Sequence, residues 1–157
     1  MKKQVIVILM GLVSSIVVAT EEDEIVWIKS EDPEMLNAIK KARASLDEFL
    51  AIAKTPKEGM SDFVLKVRLG DTKGHEHFWV MPFEENQNSI TGYLANKPKV
   101  IEGYSLGQKI TFDQSMISDW GYSYEGKKYG NFTTCVLFQS MPEEQAKYYR
   151  ENYGFQC

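Results

Sequence analysis

Apolar residues recur along this chain with two different periods, and the change of period divides it. From Met35 onward, Met35, Leu36, Ile39, Ala42, Leu46, Phe49, Leu50 and Ala53 follow a 3.6-residue spacing, with Lys40, Arg43, Asp47 and Lys54 off the stripe. Asp32-Pro33 is a start signal, because Asp accepts from free amides and Pro suits the first helical position. Thr55-Pro56 closes the run. The pattern predicts one long helix over residues 33–54.

Beyond residue 60 the period falls to two. Phe63, Leu65, Val67 and Leu69 alternate with Lys66 and Arg68, which predicts a half-buried strand. Residues 75–83 give a second, with Phe78 and Val80 on one face and His75, His77, Trp79 and Met81 on the other. Residues 90–95 and 109–113 predict a third and a fourth. The densest aromatic stretch then reads as a hairpin about Glu125-Gly126-Lys127-Lys128. Trp120, Tyr122 and Tyr124 share one face of its first strand, and Phe132, Thr134, Val136 and Phe138 share one face of its second. Pro142-Glu143-Glu144 opens a short C-terminal helix to about residue 152, with Tyr148 and Tyr149 placed to pack back. No strand-helix-strand spacing calls for a parallel sheet. The predicted class is α+β, one long N-terminal helix packed on an antiparallel sheet of five to six strands.

The N-terminus adds a location. Lys2 and Lys3 precede an apolar run over residues 5–18, and Val17-Val18-Ala19 offers the small and aliphatic residues a signal peptidase reads. The run is shorter than the ~20 apolar residues of a membrane span, and acidic residues 21–24 follow at once. The expectation is a signal peptide over residues 1–19, a linker over 20–32 and a single domain over 33–157. The linker holds one apolar patch, Ile25-Val26-Trp27-Ile28, either an edge strand or a latch. The mature protein would be periplasmic or secreted, without stable membrane insertion after cleavage.

Composition narrows the partners. Hydrophobic residues make up 43% and aromatics 12% of 157 residues, enough for one core. The formal net charge is −4, and loss of Lys2 and Lys3 with the leader takes it two charges lower. Nothing in that balance calls for nucleic acid. Cys135 and Cys157 are the two cysteines, and in an oxidising compartment they suggest a disulfide; two free thiols are the alternative.

Three groups of residues could carry chemistry. His75 and His77 lie at strand spacing on one face and would ligate a metal given a third ligand such as Asp119. The plainer reading has His77 hydrogen-bonded in a polar surface and His75 exposed beside Gly74. Asp119 would be either a functional carboxylate of raised pKa or a cap on a turn or backbone amide. Trp79, Tyr93, Trp120, Tyr122 and Tyr124 would tile a binding platform if they stand on the open sheet face, and form core if the helix covers them. Motifs of nucleophilic catalysis, phosphate-cradling loops and Cys-x-x-Cys are missing from the sequence. No cofactor is expected.

Several local patterns in order carry a resemblance. Glu76-His77-Phe78-Trp79-Val80, Gly92-Tyr93-Leu94-Ala95-Asn96-Lys97-Pro98, Gly107-Gln108-Lys109-Ile110-Thr111-Phe112, Ile117-Ser118-Asp119-Trp120 and Gly130-Asn131-Phe132-Thr133 together resemble the YegJ-like family of uncharacterised bacterial proteins. The resemblance spans residues 33–145 and implies no activity and no catalytic residue. Gly121 departs from it, since family members often have a larger apolar residue after the Asp-Trp pair. The functional expectation is an exported bacterial binding protein, of inhibitor or immunity type, whose partner is another exported protein or a small ligand. The competing expectation is a small metal-assisted hydrolase using His75, His77 and Asp119.

Overall fold

The computed structural model describes residues 32–157 apart from Lys73 and Asn88. The expected leader, the acidic linker and the Ile25-Val26-Trp27-Ile28 patch lie outside the described residues. Four helices are present among them: α1 (Pro33–Ala44), α2 (Leu46–Lys54), α3 (Phe132–Gln139) and α4 (Glu143–Tyr153). Six strands, β1 (Met60–Asp71), β2 (Gly74–Glu85), β3 (Ile90–Leu94), β4 (Lys109–Phe112), β5 (Ile117–Tyr124) and β6 (Lys127–Gly130), form one sheet in the order β4-β3-β2-β1-β5-β6. Every neighbouring pair is antiparallel. The fold is α+β, as the change of period predicted. No described helix is long and apolar enough to cross a membrane.

The expected single long helix is two. Asp32 caps the first, its Oδ1 accepting from the Met35 amide at 2.9 Å. At Ser45 the backbone leaves helical geometry (φ −112°, ψ 10°), and the Ser45 hydroxyl donates to the Lys41 carbonyl at 2.9 Å. A serine that bonds the preceding turn competes with the helical ladder, so the break falls there. The apolar stripe holds best after the break, where Leu46, Phe49 and Leu50 are buried. On α1 the buried residues are Ala38 and Ala42, while Leu36 is 51% exposed.

The second correction concerns the hairpin. Its second strand ends at Gly130, and Phe132, Thr134, Val136 and Phe138 lie in α3 instead of alternating along a strand. Gly130 (φ 74°) and Asn131 (φ 55°) are left-handed and turn the chain off the sheet. A Cβ on Gly130 would collide with the carbonyl and ring of Trp120.

The covered face of the sheet is apolar. Leu65, Val67, Phe78, Val80 and Ile117 are all but fully buried there, each worth about 1.5–3 kcal/mol in area removed from water. Phe49 of α2 stacks on Trp120 with ring centroids 4.8 Å apart, and Tyr122 continues the aromatic row. The Trp120 indole N–H donates to the Ala42 carbonyl at 2.9 Å, which fixes α1 to β5. Residues 95–108 complete the cover. Glu76 accepts from the Lys99 and Val100 amides at 2.9 Å each, and this places buried Ile101 and the Tyr104 ring against the core.

Candidate functional site

The opposite face of the sheet is polar, cationic and aromatic. Because Leu65, Val67 and Leu69 point to α1 and α2, Lys66 and Arg68 point to the other face, and register places Trp79 beside Lys66 and His77 beside Arg68. Arg68, His75, Tyr93, Lys109 and Thr111 are exposed, so no described helix lies across them; His77 and Trp79 are half-buried. The Lys66 ammonium sits 5.0 Å from the Trp79 ring centre, and that of Lys109 lies 6.0 Å from the Tyr93 ring centre. A Cβ on Gly70 would strike the His75 ring, so glycine there makes room for the imidazole.

At one side of this face, β1, β5 and α3 meet around a buried carboxylate. A register shift between Lys66 and Val67 brings Asp119 opposite Lys66, with Ser118 as the extra residue of a bulge. Asp119 Oδ1 accepts from the amides of Trp120 (2.9 Å) and Phe132 (3.2 Å). Its Oδ2 accepts from the Thr133 amide (2.8 Å) and the Thr133 hydroxyl (2.6 Å). The side chain of a strand residue thus supplies what the first turn of α3 lacks, acceptors for its free amides. Lys66 Nζ donates to Thr133 Oγ1 at 3.0 Å. Burial pushes the Asp119 carboxyl upward, while the Thr133 hydroxyl and Lys66 pull it back. Burial likewise lowers the Lys66 ammonium, against the pull of Asp119. All four contacts to Asp119 are donations, which is the pattern an ionised carboxylate satisfies.

His77 is held from the same bulge. Its Nδ1 lies 2.7 Å from Ser118 Oγ, and that hydroxyl donates to the Lys66 carbonyl at 3.2 Å. With the hydroxyl proton so committed, Nδ1–H is the donor to Ser118. Burial, and after it the charges of Lys66 and Arg68, lower the His77 pKa from 6.5 to about 4. The ring is neutral at pH 7.

The expected site residues therefore separate. Trp120 and Tyr122 lie under the helices, Tyr124 is half-buried at the end of β5, and Trp79 and Tyr93 stand on the open face. These five do not form one platform. His77 and Asp119 share a face, but His77 turns Nδ1 to Ser118 and Asp119 is engaged by α3. No cluster of three His, Cys, Asp or Glu side chains suited to a metal ion occurs among the described residues. Cys135 and Cys157 are disulfide-bonded, tying α3 to the C-terminal tail. Lys66, Ser118 and Thr133 were missed by sequence reasoning. The period-two pattern placed Lys66 on the outer face, but the bulge that gathers the cluster has no local signature.

The sequence over residues 32–157 matches the family described as "Uncharacterized protein conserved in bacteria (DUF2314)". The chain belongs to this family. A relative, "Uncharacterized protein YegJ" of Escherichia coli (strain K12), is 30% identical over 112 residues, 71% of this chain and 72% of that protein. No solved structure matches. The motifs that carried the resemblance supply long-range bonds here. Glu76 holds the 99–101 backbone, Asn96 accepts from the Trp79 amide at 2.7 Å, and Asp119 caps α3. Gly121 also has a local reason. A Cβ there would come within 2.6 Å of the Asn131 amide nitrogen, so the missing side chain is the seat of Asn131.

Proposed function

We propose that this DUF2314 protein is exported and works by binding, with the open face of its sheet presented to another exported protein in the manner of an inhibitor or immunity protein. One observation carries the reading. The buried polar groups Asp119, Ser118 and Thr133 are spent on internal hydrogen bonds, whereas Tyr93, Lys109 and Arg68 stand exposed around Trp79. Rigid aromatic rings beside cations favour contact with an acidic surface, and a sheet holds them in fixed positions. The leader pattern of residues 1–19 and the Cys135–Cys157 bond support an oxidising, extracytoplasmic location.

Fractionation of cells expressing the full chain, with N-terminal sequencing, tests the location: a mature start at Thr20 outside the cytoplasm is expected. The immobilised mature protein should retain one dominant protein from the same fraction. A Tyr93→Ala/Lys109→Ala variant of unchanged melting temperature should lose it. Retention by both forms alike, or by neither, would remove the open face from consideration.

A further inference from the structure

A second surface, separate from the open face, comes from a fork in the sheet. The ladder between β1 and β2 runs from Asp71↔Gly74 only as far as Leu65↔Val80. Past that pair, β1 continues against β5 through a bulge between Ser61 and Val64, and β2 continues against β3 through one between Val80 and Phe83. Pro82 has no amide proton to donate and sits where the β1 ladder stops. Asp62, left-handed at φ 54°, re-aims β1 at the same level. The two half-sheets diverge, and the end of α2 roofs the gap.

The result is an open cleft of about 630 Å³, within the roughly 300–1,000 Å³ of small-molecule sites. Leu50, Phe63, Met81 and Phe83 line its apolar part. Phe63 and Phe83 are themselves backed by Phe49, with ring centroids at 6.1 and 6.0 Å, so the floor is rigid. The charged residues lining the cleft are Asp62, Glu84 and Glu85 against Lys54. Asp62 stays anionic because hydroxyls of Ser123 and Ser61 donate to it and Lys128 adds its charge.

We propose that this fork is a binding site for a small organic cation with an apolar body, such as an alkyl or arylalkyl amine. The apolar tail would lie on Phe63, Phe83 and Leu50, and the ammonium would sit in the negative field of Asp62, Glu84 and Glu85, of which Glu85 also accepts from Gln114 Nε2 at 3.1 Å. Neutral and anionic compounds of the same shape lose the second half of that recognition. An anionic head would also face three carboxylates.

The test uses octylammonium and octanoate as matched probes on the isotope-labelled mature protein, followed by amide chemical shifts. Octylammonium should shift amides of residues 50–54, 62–64 and 81–86 in a saturable way, and octanoate should bind at least tenfold more weakly. The Asp62→Asn/Glu85→Gln variant should reduce octylammonium affinity about tenfold while leaving octanoate unchanged or improved. Asn tolerates the left-handed backbone of Asp62, and unchanged dispersion elsewhere would certify the fold. Equal binding of the two probes, shifts centred on other residues, an unaffected double variant or no saturable shift at millimolar octylammonium would each overturn the proposal.

Discussion

Asp119 takes four donors, the Trp120 amide of its own strand, the Phe132 amide that opens α3, and the amide and hydroxyl of Thr133. Replacing it with alanine strands the Trp120, Phe132 and Thr133 amides in a buried place, and each stranded group costs about 1–3 kcal/mol. Asp119→Ala should therefore lower unfolding free energy by about 3 kcal/mol, read from urea midpoints, with the loss concentrated in α3. His77 predicts a pH dependence. The unfolded imidazole takes a proton near 6.5 and the folded one only near pH 4, so the unfolded state binds more protons between those values. This contribution is complete above pH 6.5 and is lost as pH falls toward 4. One pKa unit corresponds to about 1.4 kcal/mol, and solvent access to the half-buried ring reduces the whole effect to about 2 kcal/mol. A His77→Gln variant should show a flatter stability profile over that range, and a wild-type profile equally flat would remove the assignment.

Among the elements, α3 is held twice, by Asp119 at its start and by the Cys135–Cys157 bond from its middle to the tail. The two cysteines are 22 residues apart, a loop for which cross-linking contributes about 3 kcal/mol. Reduction, or Cys135→Ser/Cys157→Ser, should cost about that much in a thermal or urea melt and expose α4 to proteolysis before the sheet. The strands were legible because alternation marks a sheet with one apolar face, and all four predicted from single runs, about residues 63–69, 75–83, 90–95 and 109–113, are present. The helix break at Ser45 left no trace in the apolar stripe, since a hydroxyl bonding its own preceding turn does not change hydrophobic spacing. The strand reading of residues 132–138 failed for a different reason. Thr133, Thr134 and Val136 favour extended backbone locally, and a cap from residue 119 decides otherwise. For the candidate site, sequence named Asp119, His77, Trp79 and Tyr93. It did not separate them from Trp120 and Tyr122, because facing depends on which side the helices take.

At the scale of the molecule, among the described residues, one face of the sheet is closed by α1, α2 and the 95–108 segment, and the other carries Arg68, Trp79, Tyr93 and Lys109, with the start of α3 at one side. The fork between β1 and β2 interrupts that plan at one end. Amide hydrogen exchange should follow it: Leu65, Val67, Phe78 and Val80 slowest, and residues 81–85 of β2 and 61–64 of β1 faster by an order of magnitude or more. Uniform protection along both strands would contradict the divergence. The left-handed turn at Gly130 and Asn131 has a consequence for the protein in company with its own copies. Between Ile117 and Trp120 the flank of β5 has no strand beside it among the described residues, and there the turn sets α3 where a longer β6 would have run. An open strand flank is a template for pairing between molecules, and a helix laid along it denies that pairing. Loss of the Asp119 anchor should free a β-branched segment next to an uncovered flank, so Asp119→Ala is expected to aggregate through intermolecular strands well before it is globally unfolded.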